Sequence, residues 1–239
     1  MPRRPSLLAE LADLVLPRPC PGCGAAEPWC DGCAATLAGR PREPVVGDAT
    51  LDAFAGRLQL PAFRALARYR GPVRAAIIAG KERGRRDLPP MLGTALGEGL
   101  LRMQSISVIP RQAWLVAAPT RPAAARSRGG DPVLAMARAA AALLAANGAA
   151  TGVAGCLRTA PGAIDSVQLT AAERAANLAG RVRVRSSVLP PAGAAIVLID
   201  DVLTTGATAL ASCQALATVG RSVCCVVTLA AVPPWRVTR

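Results

Sequence analysis

Residues 194–199 are apolar without interruption, and two aspartates follow them directly. A strand with one face in water alternates apolar with polar residues, so an unbroken apolar run of this length indicates a strand that is buried on both faces. Such strands are typical of parallel sheets with helices on either side. This feature therefore predicts an α/β fold built on a parallel sheet.

The remainder of the chain alternates strand and helix patterns, as a parallel sheet requires. Further strands are predicted at 66–70, 113–118 and 153–157 and within 222–232. Helices are predicted at 73–80, 89–103, 131–147, 170–178 and 207–219. Another helix, capped by Ser6 and stopped by Pro17, precedes them. We expect a parallel, Rossmann-like sheet domain at 49–239, preceded by a smaller segment at 1–48.

Two C-x-x-C pairs mark the smaller segment: Cys20, Cys23, Cys30 and Cys33. Four thiolates at this spacing can converge tetrahedrally on Zn²⁺, and a closed four-cysteine site has a folding role rather than a catalytic one. A loop of reduced thiols or a redox pair is the alternative. The other four cysteines lie in apolar segments and are predicted to be inert core thiols: Cys156, Cys213, Cys224 and Cys225.

Composition narrows the possible chemistry and location. The chain has no histidine, which excludes Ser-His-Asp and Cys-His catalysis and His-ligated catalytic zinc. A hydrophobic content of 52% is enough for a buried core. The first apolar run is broken by Glu10 and Asp13, and no uncharged stretch is apolar enough to span a bilayer. We expect a cytoplasmic protein without a membrane span.

Asp200 and Asp201 follow the buried strand, and a Thr/Gly turn then opens a helix. In open α/β sheets, ligands bind at the carboxyl ends of the strands, where this turn is expected to lie. A helix N-terminus with threonine hydroxyls can bind a phosphate there. Adjacent carboxylates need a diol, a cation or solvent. A solvated Asp-Asp turn is the simpler alternative. A P-loop ATPase requires a lysine followed by serine or threonine. It is excluded because the only lysine, Lys81, is followed by Glu82.

The net charge of +13 is concentrated in residues 49–112, with +7, and 113–192, with +6. Two basic clusters stand out: Lys81, Arg83, Arg85 and Arg86, and then Arg121, Arg126 and Arg128. Each can be a solvated face, or it can bind a polyphosphate or the backbone of single-stranded nucleic acid. With few aromatic residues for base stacking, nucleic-acid binding is expected to depend on phosphates and on salt.

Residues 198–208 resemble the phosphoribosyl pyrophosphate (PRPP) signature of type I phosphoribosyltransferases. The resemblance implies that Asp200 and Asp201 hold the ribose 2′- and 3′-hydroxyls at the catalytic centre. It assigns the 5′-phosphate to Thr204, Thr205, Gly206, Ala207 and Thr208. It also implies a pyrophosphate loop that contains Pro119, Thr120 and Arg126, with Mg²⁺ bound together with PRPP.

Nearly the whole chain resembles, in order, the competence protein ComF family. The motifs are the leading helix, the four-cysteine segment, Tyr69-Arg70-Gly71-Pro72, Lys81 with Gly84, Arg126-Ser127-Arg128-Gly129, and Gln168-Leu169-Thr170 with Glu173-Arg174 and Asn177. The resemblance implies a cytoplasmic factor that handles incoming single-stranded DNA in natural transformation, with a competence helicase as partner.

The chain departs from the ComF pattern in three places. Residues 40–64 lack the further cysteines of many relatives, so we expect a single zinc ion. Val116-Ala117-Ala118-Pro119 and Arg128-Gly129-Gly130-Asp131 replace the Val-Pro-Val-Pro and Arg-Gly-Phe-Asn of relatives.

Three functional hypotheses follow. The first is a PRPP-binding domain that handles single-stranded DNA. The second is an active phosphoribosyltransferase with an unidentified small-molecule acceptor and no nucleic-acid role. The third, a purely structural zinc protein, leaves the Asp-Asp and Thr-Thr-Gly residues without a use.

Overall fold

A five-stranded parallel sheet forms the centre of the molecule. The structure, a computed structural model, describes residues 18–54, 56, 59–120, 130–149, 151–160 and 180–236. The strands of the sheet are β1 (Ala62–Arg68), β2 (Ala113–Ala117), β3 (Thr151–Ala154), β6 (Ile196–Leu203) and β7 (Val223–Ala231), in the spatial order β1-β7-β6-β2-β3. Strands β4 (Leu157–Thr159) and β5 (Val182–Val184) form a separate antiparallel pair. The predicted α/β fold with a parallel sheet is confirmed.

Helices cover both faces of the sheet. They are α1 (Asp31–Ala34), α2 (Asp48–Phe54), α3 (Gly71–Glu82), α4 (Leu88–Ser105), α5 (Pro132–Ala146) and α6 (Ala207–Ala217). One core cluster joins the sheet to α3, α4 and α5, and the other joins it to α2 and α6. Val197 and Ile199 of β6 belong to the first cluster, and Ile196 and Leu198 belong to the second. β6 is therefore buried on both faces, as its unbroken apolar sequence predicts.

Three strands differ from their predicted extents. The strand predicted at 66–70 is β1, which spans Ala62–Arg68 because its pairing with β7 begins at Ala62 and ends at Arg68. The strand predicted at 194–199 continues to Leu203 because, after β2 ends, β6 still pairs with β7 as far as Ala231. The two aspartates therefore belong to β6 instead of following it. The strand predicted at 153–157 is divided between β3 and β4, which belong to different sheets.

Two predicted helices, at residues 6–17 and 170–178, lie outside the described residues, as does the whole Gln168 to Asn177 motif. Within the described part of the chain, no helix combines the length and the hydropathy needed to cross a membrane.

Candidate functional site

Asp200 and Asp201 lie beyond the point where the neighbouring strand β2 ends. Pairing between β2 and β6 stops at Ile199, whereas β6 continues along β7. Each carboxylate accepts a hydrogen bond from the next backbone N–H: Asp200 Oδ1 from Asp201 at 2.8 Å, and Asp201 Oδ1 from Val202 at 2.7 Å. The sheet therefore holds two carboxylates side by side at its carboxyl edge, where open α/β folds bind ligands.

Lys81, near the end of α3, supplies the positive charge of this site. Its Nζ lies 2.6 Å from Asp201 Oδ2, and the Asp201 side chain is only 5% exposed. A buried carboxylate needs such a partner because the loss of hydration disfavours its charge. The sequence placed Lys81 in a phosphate- or nucleic-acid-binding cluster, but the structure places it beside the aspartates. One feature of the sequence could have indicated that Lys81 has a separate role: it is the only lysine among 28 basic residues.

The site disfavours the ionised form of Asp200. Burial and, to a smaller extent, the adjacent Asp201 charge raise the pKa of Asp200, Lys81 opposes both effects, and the resulting pKa is about 8. Asp201 is the carboxylate that contacts Lys81 directly. The site thus resists carrying two negative charges and favours a ligand that brings hydrogen-bond donors or a cation to Asp200.

The turn between β6 and α6 contains the predicted phosphate-binding residues. Gly206 adopts a left-handed conformation with φ of +85°, and a Cβ at this position would lie 2.9 Å from Val46 Cγ1. Both observations require glycine. Thr205 Oγ1 accepts from the Ala207 N–H at 3.4 Å, Thr204 is exposed, and Thr208 is half-buried. Three residues separate the end of β6 at Leu203 from the start of α6 at Ala207, so the positive end of the helix dipole lies close to the end of the strand.

Pro119 and Thr120 follow β2, the strand beside β6. The Ala118 N–H donates to the Ile199 carbonyl at 2.8 Å, which keeps this segment next to β6. The Thr120 hydroxyl donates to Asp131 Oδ1 at 2.9 Å, and the same oxygen caps α5. The remaining residues assigned to this loop lie outside the described residues: Arg121, Arg126 and Arg128.

The four cysteines of the N-terminal segment form one cluster: Cys20, Cys23, Cys30 and Cys33. Their Sγ atoms all lie within 4.8 Å of one another, with Cys23 and Cys30 at 3.4 Å. A Zn–S distance of about 2.3 Å places sulfurs of a tetrahedral site about 3.8 Å apart. Four cysteines in this arrangement can bind a metal ion such as zinc.

The sulfurs of this cluster titrate unequally. Burial acts to raise the pKa of Cys20, but backbone N–H groups of Cys30, Gly22 and Cys23 stabilise its thiolate and bring the pKa to about 6. Burial and the neighbouring cysteines raise the pKa of Cys33. One thiolate is thus preformed, and a cation would stabilise the others.

The cysteine segment, residues 18–35, packs closely against α3. A Cβ on Gly22 would lie 2.6 Å from Cys33 Sγ and 2.7 Å from Pro72 Cβ. Leu37, which follows the last cysteine in a short 3₁₀ turn, is 1% exposed and belongs to the core cluster of α3 and α4. The segment and the sheet therefore share a core.

Arg85, which the sequence analysis placed in the same basic cluster as Lys81, is largely buried. It is 8% exposed, its guanidinium donates to the Asp87 carboxylate, and it also donates to the carbonyls of Pro19 at 2.8 Å and Pro28 at 3.2 Å. Although burial opposes the shift, the Arg85 hydrogen bonds lower the pKa of Asp87. A buried guanidinium with these acceptors holds the cysteine segment in place and is not presented to phosphate.

Arg83 and Arg86, the neighbours of Arg85 in the sequence cluster, are exposed. Arg85 thus differs in exposure from Arg83 and Arg86, although the three lie close together in sequence.

The remaining cysteines divide into two groups. Cys156, Cys213 and Cys225 are buried, and burial raises the pKa of Cys213 and Cys225 to about 12. Cys224 is exposed, because it is the second residue of β7 at the amino end of the sheet, so its prediction as a core thiol was wrong.

No protein-family model matches the chain, and a search of curated proteins found no significant match.

Proposed function

We propose that the carboxyl edge of the sheet binds PRPP, or a related ribose phosphate, in a domain of the type I phosphoribosyltransferase kind. One observation carries the proposal: two adjacent carboxylates in β6 are followed by a left-handed glycine turn that opens α6. This arrangement offers acceptors for a diol and donors for a phosphate within one short stretch of chain.

The ribose hydroxyls account for the aspartates. A cis-diol presents two O–H donors side by side, and Asp200 and Asp201 present neighbouring carboxylate acceptors. Hydroxyl donors favour the ionised form of Asp200, which the unliganded site disfavours. Lys81 meanwhile orients the Asp201 carboxylate through its 2.6 Å contact.

The 5′-phosphate is assigned to the turn at 204–208. The first backbone N–H groups of a helix lack intrahelical acceptors, and its dipole favours an anion. Because Gly206 has no side chain, the backbone of the turn can approach the phosphate closely. The threonine hydroxyls add hydrogen-bond donors.

Mg²⁺ is the cofactor that the donor chemistry fits, because the carboxylate oxygens of Asp200 and Asp201 are hard ligands. When bound with pyrophosphate, the ion would offset the charge of the departing group. The chain itself would orient the ribose and stabilise positive charge at the anomeric carbon electrostatically. Pro119 and Thr120 border the same edge and are assigned to the pyrophosphate loop.

Handling of single-stranded DNA is the companion function that the ComF resemblance suggests. The net charge of +13 supports it. In this proposal the zinc is structural and single, the location is the cytoplasm, and a competence helicase is the partner. An active transferase on a small acceptor, without a nucleic-acid role, is the alternative. An assay against a panel of bases and amines separates the two.

Calorimetry of the full chain with PRPP and Mg²⁺ tests the main proposal. We expect binding to the parent chain and a loss of about 100-fold in D200N/D201N, since two charge-assisted hydrogen bonds are removed. D52N, at an exposed aspartate of α2, removes a carboxylate elsewhere and should keep the affinity. Absence of binding to the parent chain, or equal affinity in the double variant, would contradict the proposal.

A further inference from the structure

A second cleft, separate from the aspartates, lies along the outer edge of β1. Its volume is about 1060 Å³, and its walls come from the chain after the cysteine segment, from β1 and from the facing ends of α3 and α4. Among the described residues, seven arginines and one acidic residue, Glu43, line it.

The single acidic residue cannot balance this charge. Glu43 contacts Arg64 at 3.1 Å and Arg236 at 2.9 Å, so its carboxylate is shared by two of the seven. In the part of the chain described, Arg40, Arg68 and Arg70 have no side-chain partner. Like charges gathered in a concave site repel one another more strongly than on an open surface, and an anionic ligand relieves this.

Two arginines are held in place at the cleft. Arg102 donates to the Leu37 carbonyl at 3.0 Å, yet its buried Nε has no acceptor. Arg42 lies 5.4 Å above the Trp235 ring, and its backbone pairs with Ala65 of β1. The Leu37 hydrogen bond fixes the Arg102 guanidinium, and the contact with Trp235 fixes that of Arg42.

The cleft also has apolar walls. Leu66, Val73 and Met103 line it, and Ile106 beside them is 54% exposed. A purely inorganic anion leaves such a surface unused, whereas a nucleotide has a phosphate for the arginines and a base for the apolar side chains. The volume is at the upper end of pockets that hold one drug-sized ligand, about 300–1,000 Å³, and suits more than one nucleotide.

We propose that this arginine cleft binds the phosphates and bases of single-stranded nucleic acid. The inference rests on the companion function proposed above and gives it a location that differs from the Lys81 to Arg86 cluster. A rigid duplex carries its bases inside and cannot present them to a concave, partly apolar wall. The aspartate site and the cleft are then two sites for two ligands.

Fluorescence anisotropy with a labelled oligothymidylate of about 15 nucleotides tests the inference on the full chain. We expect R68A/R70A to weaken binding about tenfold or more and to reduce the salt slope by about 1.4, because each lost phosphate contact contributes about 0.7. R83A/R86A is the matched control, because it removes two exposed arginines of the sequence-predicted cluster. It should keep both the oligonucleotide affinity and the salt slope of the parent chain.

Each other outcome overturns the inference in a distinguishable way. If R83A/R86A weakens binding and R68A/R70A does not, the nucleic-acid function survives but the cleft is the wrong place. If the parent chain binds no oligonucleotide, the companion function falls as well. If a nucleoside triphosphate or inorganic tripolyphosphate competes as well as an unlabelled oligonucleotide at equal phosphate concentration, the ligand is not a nucleic-acid strand.

Discussion

The aspartate site and the arginine cleft handle charge in opposite ways. At the first, Lys81 lies 2.6 Å from Asp201, so most of the local charge is compensated within the protein. In the second, seven arginines share one glutamate. A site whose charge is compensated within the protein suits a ligand whose phosphates carry their own cation. A cleft with uncompensated positive charge suits a polyanion that binds without a cation. The two regions should therefore respond differently to substitution, to salt and to metal removal.

The largest difference is expected on metal removal. The cysteine segment leads directly into Thr36 and residues 39–43, which line the cleft, while the aspartate site is built from β6, α3 and α6. We expect C20S/C33S to lose the bound zinc and at least tenfold in oligonucleotide affinity, while PRPP binding is retained, because structural zinc supplies folding energy to its own segment.

Zinc content and the two affinities measure this effect. C224S changes an exposed cysteine outside the cluster and should keep one zinc per chain. Equal zinc content in C20S/C33S and C224S would refute the assignment of the cluster as a metal site.

Removal of the ion pair should destabilise the aspartate site. K81A leaves Asp201 buried and unpaired, and breaking a buried pair costs about 3–5 kcal/mol, which the 35% exposure of Lys81 reduces to about 1–3 kcal/mol. Denaturant unfolding measures this loss. R70A, in the uncompensated cleft, serves as the comparison and should cost less than about 0.5 kcal/mol. Equal losses would mean that the two regions do not differ as described.

The glycine turn should be intolerant of a side chain. G206A adds a left-handed alanine and a contact of 2.9 Å with Val46, and the backbone alone costs about 1–2 kcal/mol. G220A has a φ of +68° but no atom within 4 Å of its Cβ, so it controls for the backbone. We expect PRPP affinity to fall in G206A only and oligonucleotide affinity to change in neither. Thermal unfolding of both variants and the two titrations check this.

The smallest expected effect concerns pH. The pKa of Asp200 is raised in the folded chain, so the folded state binds more protons than the unfolded state between about pH 4 and 8, and stability falls as the pH rises through that window. D200N removes this effect. At pH 9 we expect its Tm to lie about 2–4 °C above that of the parent chain, the shift that ~1 kcal/mol gives at this size. An unchanged or lower Tm of D200N at pH 9 would contradict the assignment of this pH dependence to Asp200.

Local patterns were sufficient for part of this description. The apolar run before Asp200 predicted the two-faced burial of β6, and the spacing of four cysteines predicted their cluster, because each depends on residues close in sequence. The end of β6 was misplaced because strand length depends on its neighbours: β2 stops, but β7 continues.

The missed features depend on residues far apart in sequence. Lys81 and Asp201 meet only when α3 lies across the sheet edge, and the cleft joins Arg40, Arg70 and Arg236 from three separate segments. Conversely, Arg85 stands in a basic run but faces carbonyls of the cysteine segment. A run of charge in sequence therefore does not indicate which of its members are exposed.

The most direct test of the account titrates PRPP with Mg²⁺ into two variants, D200N/D201N and R68A/R70A, under one set of conditions. The account predicts that the first loses about 100-fold in affinity while the second stays within about twofold of the parent chain. Equal losses in both variants, or no loss in D200N/D201N, would contradict the central claim that the carboxyl edge of the sheet is a ribose-phosphate site distinct from the arginine cleft.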